Sequence, residues 1–290
     1  MKSNKWIWIA MVLVLAGILV IGLQGRPQDF VLTQQIPAQD IKSIELKGDS
    51  WNLVVKESTD NQVHIDIKGK QTDKNKAPVT VTSQSGRLVI QQDKQIGGAF
   101  SAFSFRKQGM ITVLIPKSTV EQVSMVNNEG DIKIRALVTH RLLIENKAGS
   151  MHLNQVEADS GDFNLIEGDL NVKDSSFERI DVAGRGNDLY FNNVISSVMN
   201  LYTKSGEIVL SGVEESGEAR VETKSGDIQV HYLTVPASLK LAVENGKGDT
   251  TVRLDNLLTT EKTNKRVDGT IGLGENTLYV KSDSGSIGVR

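Results

Sequence analysis

The segment Lys224-Ser-Gly-Asp-Ile-Gln-Val230 is one copy of a motif that recurs through the chain. Close copies are Asn128-Glu-Gly-Asp-Ile-Lys-Ile134, Lys204-Ser-Gly-Glu-Ile-Val-Leu210 and Asp283-Ser-Gly-Ser-Ile-Gly-Val289. The glycines follow one another at spacings of 19, 19, 18, 20, 20 and 22 residues, with one more in the last copy: Gly130, Gly149, Gly168, Gly186, Gly206, Gly226, Gly248 and then Gly285. A period of about 20 residues indicates stacked repeats, each forming one rung.

Apolar residues flank each glycine in a pattern that predicts the core. Residues such as Met125, Ile144 and Leu201 lie five positions before it, and pairs such as Ile208 and Leu210 lie two and four positions after it. Alternate side chains of a strand share one face, so these side chains converge inward. The glycine then forms a corner where a positive φ or a close backbone approach excludes a Cβ. The sequence predicts an all-β fold, a β-solenoid similar to a single-stranded β-helix.

The repeat around Gly186 departs from this pattern. Asp181 occupies the position five residues before the glycine, which is apolar in other repeats, and the pair Asn187-Asp188 adds one residue before Leu189. One extra residue in a strand is the signature of a β-bulge. We therefore expect a bulge in this rung.

The amino-terminal segment predicts a membrane anchor. Trp6 to Leu23 form an uncharged apolar run of 18 residues (23 − 6 + 1), and a helix of that length spans roughly 27 Å, enough for a bilayer core. Lys2 and Lys5 precede the run, so the positive-inside rule places the amino terminus in the cytoplasm and the rest outside. We expect residues 1–24 to form a short cytoplasmic segment and one transmembrane helix in the cell membrane. A cleaved signal peptide is the alternative.

Three regions follow the anchor. Residues 25–40 are interpreted as a polar linker. Residues 41–120 alternate apolar and polar positions between turn residues, which predicts antiparallel strands that cap the solenoid. Residues 121–290 carry the repeats.

A glycine- and serine-rich loop over residues 97–109 carries Phe100, Phe103 and Phe105. We expect this loop to fold over the open end of the solenoid, which otherwise exposes core and unpaired strand edges. The alternative is an exposed apolar patch for a partner or for the membrane surface.

Composition excludes several kinds of chemistry. The net charge of −2 gives no reason to expect a nucleic-acid partner. The chain has no cysteine, which excludes disulfides, thiol catalysis and cysteine-ligated metals.

An acidic residue follows five of the corner glycines: Asp131, Asp169, Glu207, Asp227 and Asp249. Ser150, Asn187 and Ser286 interrupt this column, and the Gly-Gly-x-Gly-x-Asp motif of calcium-binding β-rolls is absent. We interpret the acids as short side chains that bond backbone at a turn, and we expect no metal and no cofactor.

Two further sets of residues were weighed as sites. The histidines occupy different offsets from the corner glycines, which predicts solvated surface residues: His64, His140, His152 and His231. Five charged residues fall near adjacent rungs and could serve a polysaccharide lyase or hydrolase: Asp162, Glu167, Lys173, Asp174 and Arg185. Because outward positions of a solenoid are charged in any case, catalysis is the alternative and not the first expectation.

The motif copies, with Met110-Ile-Thr-Val-Leu-Ile-Pro116 before them and the closing segment from Thr277 to Ile287, resemble a bacterial family. It is the β-strand-repeat "putative adhesin" domain of unknown function, and the similarity covers residues 36–290. The resemblance implies an extracytoplasmic β-solenoid, an association with cell-envelope stress and no catalytic motif.

We therefore expect a non-enzymatic, membrane-anchored binding or scaffold protein. Its expected partners are the membrane, other envelope-stress membrane proteins or cell-wall polymer. A carbohydrate-active enzyme acting on cell-wall polymer and an adhesin are the alternatives.

Overall fold

The computed structural model describes residues 28–71, 75–93, 109–117, 120–214 and 217–290. The expected anchor (residues 1–24) and the three phenylalanines Phe100, Phe103 and Phe105 lie outside these ranges. Within them the chain is all-β, with 21 strands and one short 3-10 helix, Ala38–Asp40. None of the helical structure in these ranges is long and apolar enough to cross a membrane.

The 21 strands of the described ranges are numbered in chain order. Their bounds are β1 Gln28–Pro37, β2 Ser43–Lys47, β3 Asn52–Ser58, β4 Gln62–Gln71, β5 Val79–Gln84, β6 Arg87–Gln92, β7 Gly109–Pro116, β8 Gln122–Asn127, β9 Ile132–Asn146, β10 Met151–Glu167, β11 Leu170–Gly186, β12 Leu189–Ser205, β13 Ile208–Val213, β14 Glu218–Ser225, β15 Ile228–Tyr232, β16 Leu239–Asn245, β17 Thr250–Val252, β18 Leu258–Lys262, β19 Arg266–Ile271, β20 Asn276–Ser282 and β21 Ile287–Val289.

The middle of the molecule is a stack of parallel strands in strict register. Ile132 of β9 pairs with Met151 of β10, Met151 pairs with Leu170 of β11, and Leu170 pairs with Leu189 of β12, always 19 residues apart. Strands in a sheet lie about 4.8 Å apart, so each repeat adds one level of this height. The predicted all-β, solenoid-like fold is confirmed.

Each long strand bends twice and so contributes to three faces of the stack. In β10, buried and outward side chains alternate except at two places. After Leu153 and again after Ala158, two consecutive side chains point away from the core, and the strand bends there. Face A holds the segments that follow a corner glycine, such as 151–154. Face B holds those that precede one, such as 160–165, and the narrow face C, such as 156–158, joins them.

A second column of corners, which the sequence analysis missed, separates face A from face C. The residues there have φ between +47° and +55° at 19-residue spacing: Ala136, Gln155, Asp174 and Asn193. Gly212 continues the column with φ of +67°. A single residue in the left-handed region turns a strand sharply, and asparagine and aspartate tolerate it better than most residues. Four different residue types in this column leave almost no sequence signal.

At both ends the order of the levels departs from the order of the chain. The pair β2–β3 lies between β6–β7 and β8–β9. The pair β20–β21 lies between β14–β15 and β16–β17. The last copy of the motif is therefore inserted one level before the copy at Gly248.

The boundaries expected for the amino-terminal half are corrected. Residues 28–37 of the expected linker form β1, which pairs along its whole length with β4 and buries Phe30 and Ile36. Residues 41–120 are not antiparallel throughout, because β2 and β3 are parallel members of the stack. The strands β1, β4 and β5 do run antiparallel to their neighbours and cover this end of faces A and B.

The rung around Gly186 is also corrected. Val182 pairs with Leu201 and Leu170 with Leu189 at the same 19-residue offset, so β11 and β12 contain no bulge relative to each other. Asp181 points outward, and the buried neighbours are Ile180 and Val182. The corner lies at Asn187 and not at Gly186, so counting from the glycine displaced the expected pattern by one residue. An irregularity does occur between β13 and β15, at Ser211–Val213.

The core runs without a break along the stack and includes Trp51, which is 2% exposed. Gly69 of β4 and Gly109 of β7 face the indole, and a Cβ on either glycine would lie 2.4 Å from a ring atom. Two glycines on the paired strands β4 and β7 thus provide the space in which the indole packs.

Candidate functional site

The predicted corner glycines form a structural column. Seven of the eight lie in one column, in which Asn187 stands between Gly168 and Gly206: Gly130, Gly149, Gly168, Gly206, Gly226, Gly285 and Gly248. A Cβ on Gly168, where φ is +92°, would lie 2.3 Å from the carbonyl oxygen of Gly149. Gly186 lies outside the column, and the nearest atom to a Cβ there is 3.8 Å away. The column therefore needs glycine for close backbone packing, and it offers no side chain for chemistry.

Buried amides line the inside of this corner. Asn127 and Asn146, each three residues before a corner glycine, donate Nδ2 to the carbonyl oxygens of Gly130 (2.8 Å) and Gly149 (2.6 Å). Asn187, which stands in the glycine column itself, donates Nδ2 to Gly168 at 2.5 Å. Gly184 leaves space for that side chain. These amides satisfy carbonyl groups that the sharp corner leaves without a strand partner.

The acidic residues beside the corner glycines also bond the backbone at this corner. Oδ1 of Asp188 accepts a hydrogen bond from the backbone N–H of Glu207 at 2.8 Å, and Oδ1 of Asp227 accepts one from Ser286 at 2.7 Å. Asp131 likewise accepts from the N–H of Ser150 at 3.2 Å. These acids therefore bond the backbone of the next level, whereas we had expected each acid to bond at its own turn. Across the described ranges, no group of three or more His, Asp or Glu residues is placed to hold a metal ion.

Two of the histidines each contact a carboxylate near the surface. His64 Nε2 lies 2.8 Å from Asp60, and His140 Nδ1 lies 2.7 Å from Asp159. At His231, burial and then the charge of Arg290 lower the pKa of the imidazole. The offsets that separated the histidines in the sequence also separate them in the fold.

The five charged residues weighed as a catalytic group do not converge. Glu167 and Arg185 lie at the glycine corner, Asp162 lies on face B, and Asp174 lies at the second corner. Lys173 approaches Asp174, with Nζ 3.6 Å from Oδ2. Carboxylates that act together on a glycosidic bond must flank it from two sides, and this set cannot do so.

Face B carries an open recess of about 400 Å³ that the sequence analysis did not identify. We call it the face-B recess. Outward side chains from β10, β11, β12 and β14 line it: Asp162, Asp181, Ala183, Asn200, Tyr202, Arg220 and Glu222. Ala183 is the cross-strand partner of Tyr202, so a small side chain forms the floor beside a ring. The residues are spread over 61 positions (222 − 162 + 1), and only the register of the stack, 19 residues from β10 to β12 and 20 from β12 to β14, brings them together.

Hydrogen bonds fix one wall of the recess. Arg179 donates Nε to Asp181 Oδ2 at 2.6 Å and Nη2 to Oδ1 at 3.0 Å, and Asn200 donates Nδ2 to Oδ1 at 2.8 Å. Burial raises the pKa of Asp181, but the hydrogen bonds from Arg179 and Asn200 outweigh burial and hold that pKa below its usual value. Asp181 is therefore an ionised acceptor held in one orientation.

On the opposite wall, Arg220 stacks on a tyrosine ring and belongs to a network of ion pairs and hydrogen bonds. The guanidinium of Arg220 lies 4.5 Å from the ring centre of Tyr279 and pairs with Glu222. The hydroxyl of Tyr279 donates to Glu244 at 2.9 Å, and Arg266 donates to the other oxygen of Glu244 at 3.0 Å. Burial and the hydrogen bond to Glu244 raise the pKa of Tyr279 to about 12. The phenol thus stays protonated, and Arg220 is held between two partners.

Two other concave regions carry less functional information. A groove of about 490 Å³ along the second corner is lined by polar residues such as Gln155, Glu157 and Asn193 and by no aromatic ring. An internal cavity of about 30 Å³, lined by apolar residues such as Phe191 and Leu278, has room for little more than a water molecule. Of the three, only the face-B recess joins a half-buried tyrosine ring to a fixed carboxylate and a fixed guanidinium.

Residues 41–290 match the Toastrack DUF4097 family model, so the chain belongs to this family. The resemblance to a β-repeat domain of unknown function is thereby confirmed. A comparison with curated proteins gave no match.

Solved structures with the same fold include a "putative adhesin" from Bacteroides fragilis NCTC 9343, with 14% identity and a TM-score of 0.53 over 90% of this chain and 97% of that one. A protein named "putative lipid binding protein" from Parabacteroides distasonis ATCC 8503 has 13% identity and a TM-score of 0.48 over 92% and 98% of the two chains. At 14% identity the similarity to the Bacteroides fragilis protein shows the fold alone.

Proposed function

We propose that this protein is a non-enzymatic binding protein held outside the cytoplasm by one membrane anchor, and that it binds envelope carbohydrate in the face-B recess. The single observation that carries the proposal is the recess itself. It places the ring of Tyr202 beside an ionised carboxylate, an amide and a guanidinium that are already fixed by their neighbours.

These groups match the chemistry of a sugar. A pyranose presents an apolar face of C–H groups and a rim of hydroxyls. The apolar face can pack on a tyrosine ring, and the hydroxyls can donate to Asp181 and accept from Asn200. Specificity in ligand sites comes from a few well-placed polar groups on a largely preformed surface, and the face-B recess has this composition.

The same geometry argues against catalysis. Glycoside hydrolysis requires one carboxylic acid with a raised pKa opposite a second carboxylate. In the recess Asp181 has a lowered pKa because Arg179 and Asn200 stabilise its charged form. A carboxylate held ionised in this way can bind a hydroxyl but cannot supply the proton for a leaving group.

The location is part of the proposal and rests on sequence. The apolar run from Trp6 to Leu23 supports a single-pass anchor with a cytoplasmic amino terminus. The motif resemblance supports a LiaG-like membrane protein that is accessory to the cell-envelope stress response. The name adhesin, which the Bacteroides fragilis protein carries, is in keeping with a binding role.

The test uses full-length protein in detergent micelles and measures its affinity for the chitin hexasaccharide by calorimetry. We expect Tyr202→Ala to weaken binding at least about tenfold, which corresponds to about 1.4 kcal/mol. Tyr190→Ala is the matched control, because Tyr190 lies on the same strand but projects from face A. Equal losses in both variants, or no binding of any neutral or amino-sugar oligosaccharide by the wild type, would refute the proposal.

A further inference from the structure

We infer that the glycan recognised by the face-B recess carries a free amino group, and that Asp162 binds it. This inference rests on the proposed function and adds the charge class of the ligand. Its basis is which charged side chains of the recess already have a partner within the protein and which do not.

Most of the charged groups in the recess are already paired within the protein. Asp181 is held by Arg179 and Asn200, with three contacts between 2.6 and 3.0 Å. Arg220 is paired with Glu222 and stacked on Tyr279. A ligand gains little by approaching these groups as an ion, because each charge already has its counterion in place.

Asp162 is different. It is exposed at the edge of the recess and has neither an ion-pair nor a hydrogen-bond partner in the part of the chain that the structure describes. Its cross-strand partner is Asp181, so the two carboxylates lie on adjacent strands about 4.8 Å apart. The recess therefore presents one uncompensated negative charge beside a second, compensated one.

This arrangement selects against anions and for an ammonium group. A phosphate or uronate in the recess would face Asp162, Asp181 and Glu222, while the guanidiniums of Arg179 and Arg220 are occupied. A protonated amine would find a free carboxylate at Asp162 and donate hydrogen bonds to it. Neutral sugars remain able to pack on Tyr202, so the amine adds affinity and selectivity to the binding of the ring.

The geometry also sets a minimum length for the ligand. Asp162 and Tyr202 are two strands apart across the sheet and two residues apart along it. Strand spacing and residue rise then separate their backbones by about 12 Å. That distance exceeds one sugar ring, so the ligand is an oligosaccharide whose amine lies beyond the ring that packs on Tyr202.

The experiment compares two oligosaccharides that differ only in N-acetylation. Full-length protein in micelles is titrated with the chitosan hexasaccharide and with the chitin hexasaccharide, at low salt and at a pH that keeps the amines protonated. We expect chitosan to bind up to about fivefold more tightly, as an exposed ion pair provides. Asp162→Asn should remove this preference and leave the affinity for chitin unchanged.

The matched control is Glu167→Gln, which removes an exposed acid at the corner and outside the recess. It should leave the affinities for both oligosaccharides unchanged. A loss of chitosan binding in Glu167→Gln equal to that in Asp162→Asn would show general attraction of a polycation and overturn the inference.

Two outcomes separate the inference from the proposed function. If chitin binds at least as tightly as chitosan, and Tyr202→Ala still weakens it, the amino-group inference is wrong and the carbohydrate site stands. If neither oligosaccharide binds, the proposed function itself fails.

Discussion

The middle and the ends of this solenoid solve the same packing problem by different means. In the middle, β9 to β12 are 15 to 17 residues long and follow one another in chain order at a constant offset. At the ends the strands are shorter, one level is inserted out of order, and antiparallel strands cover the last sheet edges. The middle is specified by nearest-neighbour register, whereas the ends need contacts between distant segments.

The face-B recess extends from the regular middle (Asp162, Asp181 and Asn200) to the first shorter strands (Arg220 and Glu222). Regular register fixes the backbone spacing on one side, while the inserted strand β20 supplies Tyr279, which orients Arg220 on the other. The recess therefore forms where the two kinds of packing meet.

The largest expected effect tests the glycine column in the middle. Gly168→Ala should cost on the order of 3 kcal/mol or more, because the new Cβ would lie 2.3 Å from a backbone oxygen at a positive φ. Gly186→Ala is the matched control on the next level, where the space is open. It should be neutral or stabilise by up to about 1 kcal/mol, because alanine restricts the unfolded chain.

Urea unfolding of the two variants measures this difference directly. Comparable destabilisation by both would mean that Gly186 and not Asn187 forms the corner.

A smaller effect is expected at Asn187, where the middle departs from its own motif. Its amide donates to Gly168 and accepts from the backbone N–H of Arg185 at 2.7 Å, and the residue is 1% exposed. Asn187→Ala should therefore cost about 2 kcal/mol, since buried backbone groups lose their partners. Asn192→Ala, which truncates an exposed amide on the same level, should change the free energy of unfolding by less than about 0.5 kcal/mol.

Calorimetric melting of both variants compares these costs. A near-neutral Asn187→Ala would indicate that water replaces the amide at this corner. The buried ladder would then contribute much less to stability than the contacts imply.

The fold could be predicted from the sequence in the regular middle, but not at the second corner or at the ends. The corner glycines, the inward apolar positions and the all-β class follow from local periodicity, which the fold preserves in the middle. The second corner at Ala136, Gln155, Asp174 and Asn193 could not be predicted, because backbone conformation there is set by packing and no residue type is shared. The inserted level β20–β21 was missed because a parallel pairing between distant segments leaves no mark in either one.

The candidate site shows the same division. Asp162 was weighed from the sequence as a charged residue on an outward position, but in a group whose other members lie elsewhere. Asp181 fell on an expected inward position because the repeat was counted from Gly186. The correct 19-residue register would have aligned Asp162, Asp181 and Asn200 in one outward column, and so would have revealed half of the recess.

The smallest expected effect compares one ion-pair cluster in the middle with one at the end. Glu45 joins the inserted strand β2 to β6 through Arg87 and also contacts Lys47, while Asp181 is held by Arg179 and Asn200. Burial raises the pKa of each carboxyl, but hydrogen bonds from these donors outweigh burial and leave both pKa values lowered. A lowered folded-state pKa contributes stability above the unfolded pKa and loses it as the pH falls through the folded value.

Because both clusters are partly exposed, each should contribute less than about 1 kcal/mol. Amide exchange measured from neutral to acidic pH should show where each contribution acts. Glu45→Gln should weaken the acid dependence of exchange in β2 and β6 only, because an end level can open by itself. Asp181→Asn should weaken it for the whole middle, whose levels open together. If Glu45→Gln altered exchange in β10 and β11 as much as in β2, the ends and the middle would unfold as one unit and the distinction between them would be purely geometric.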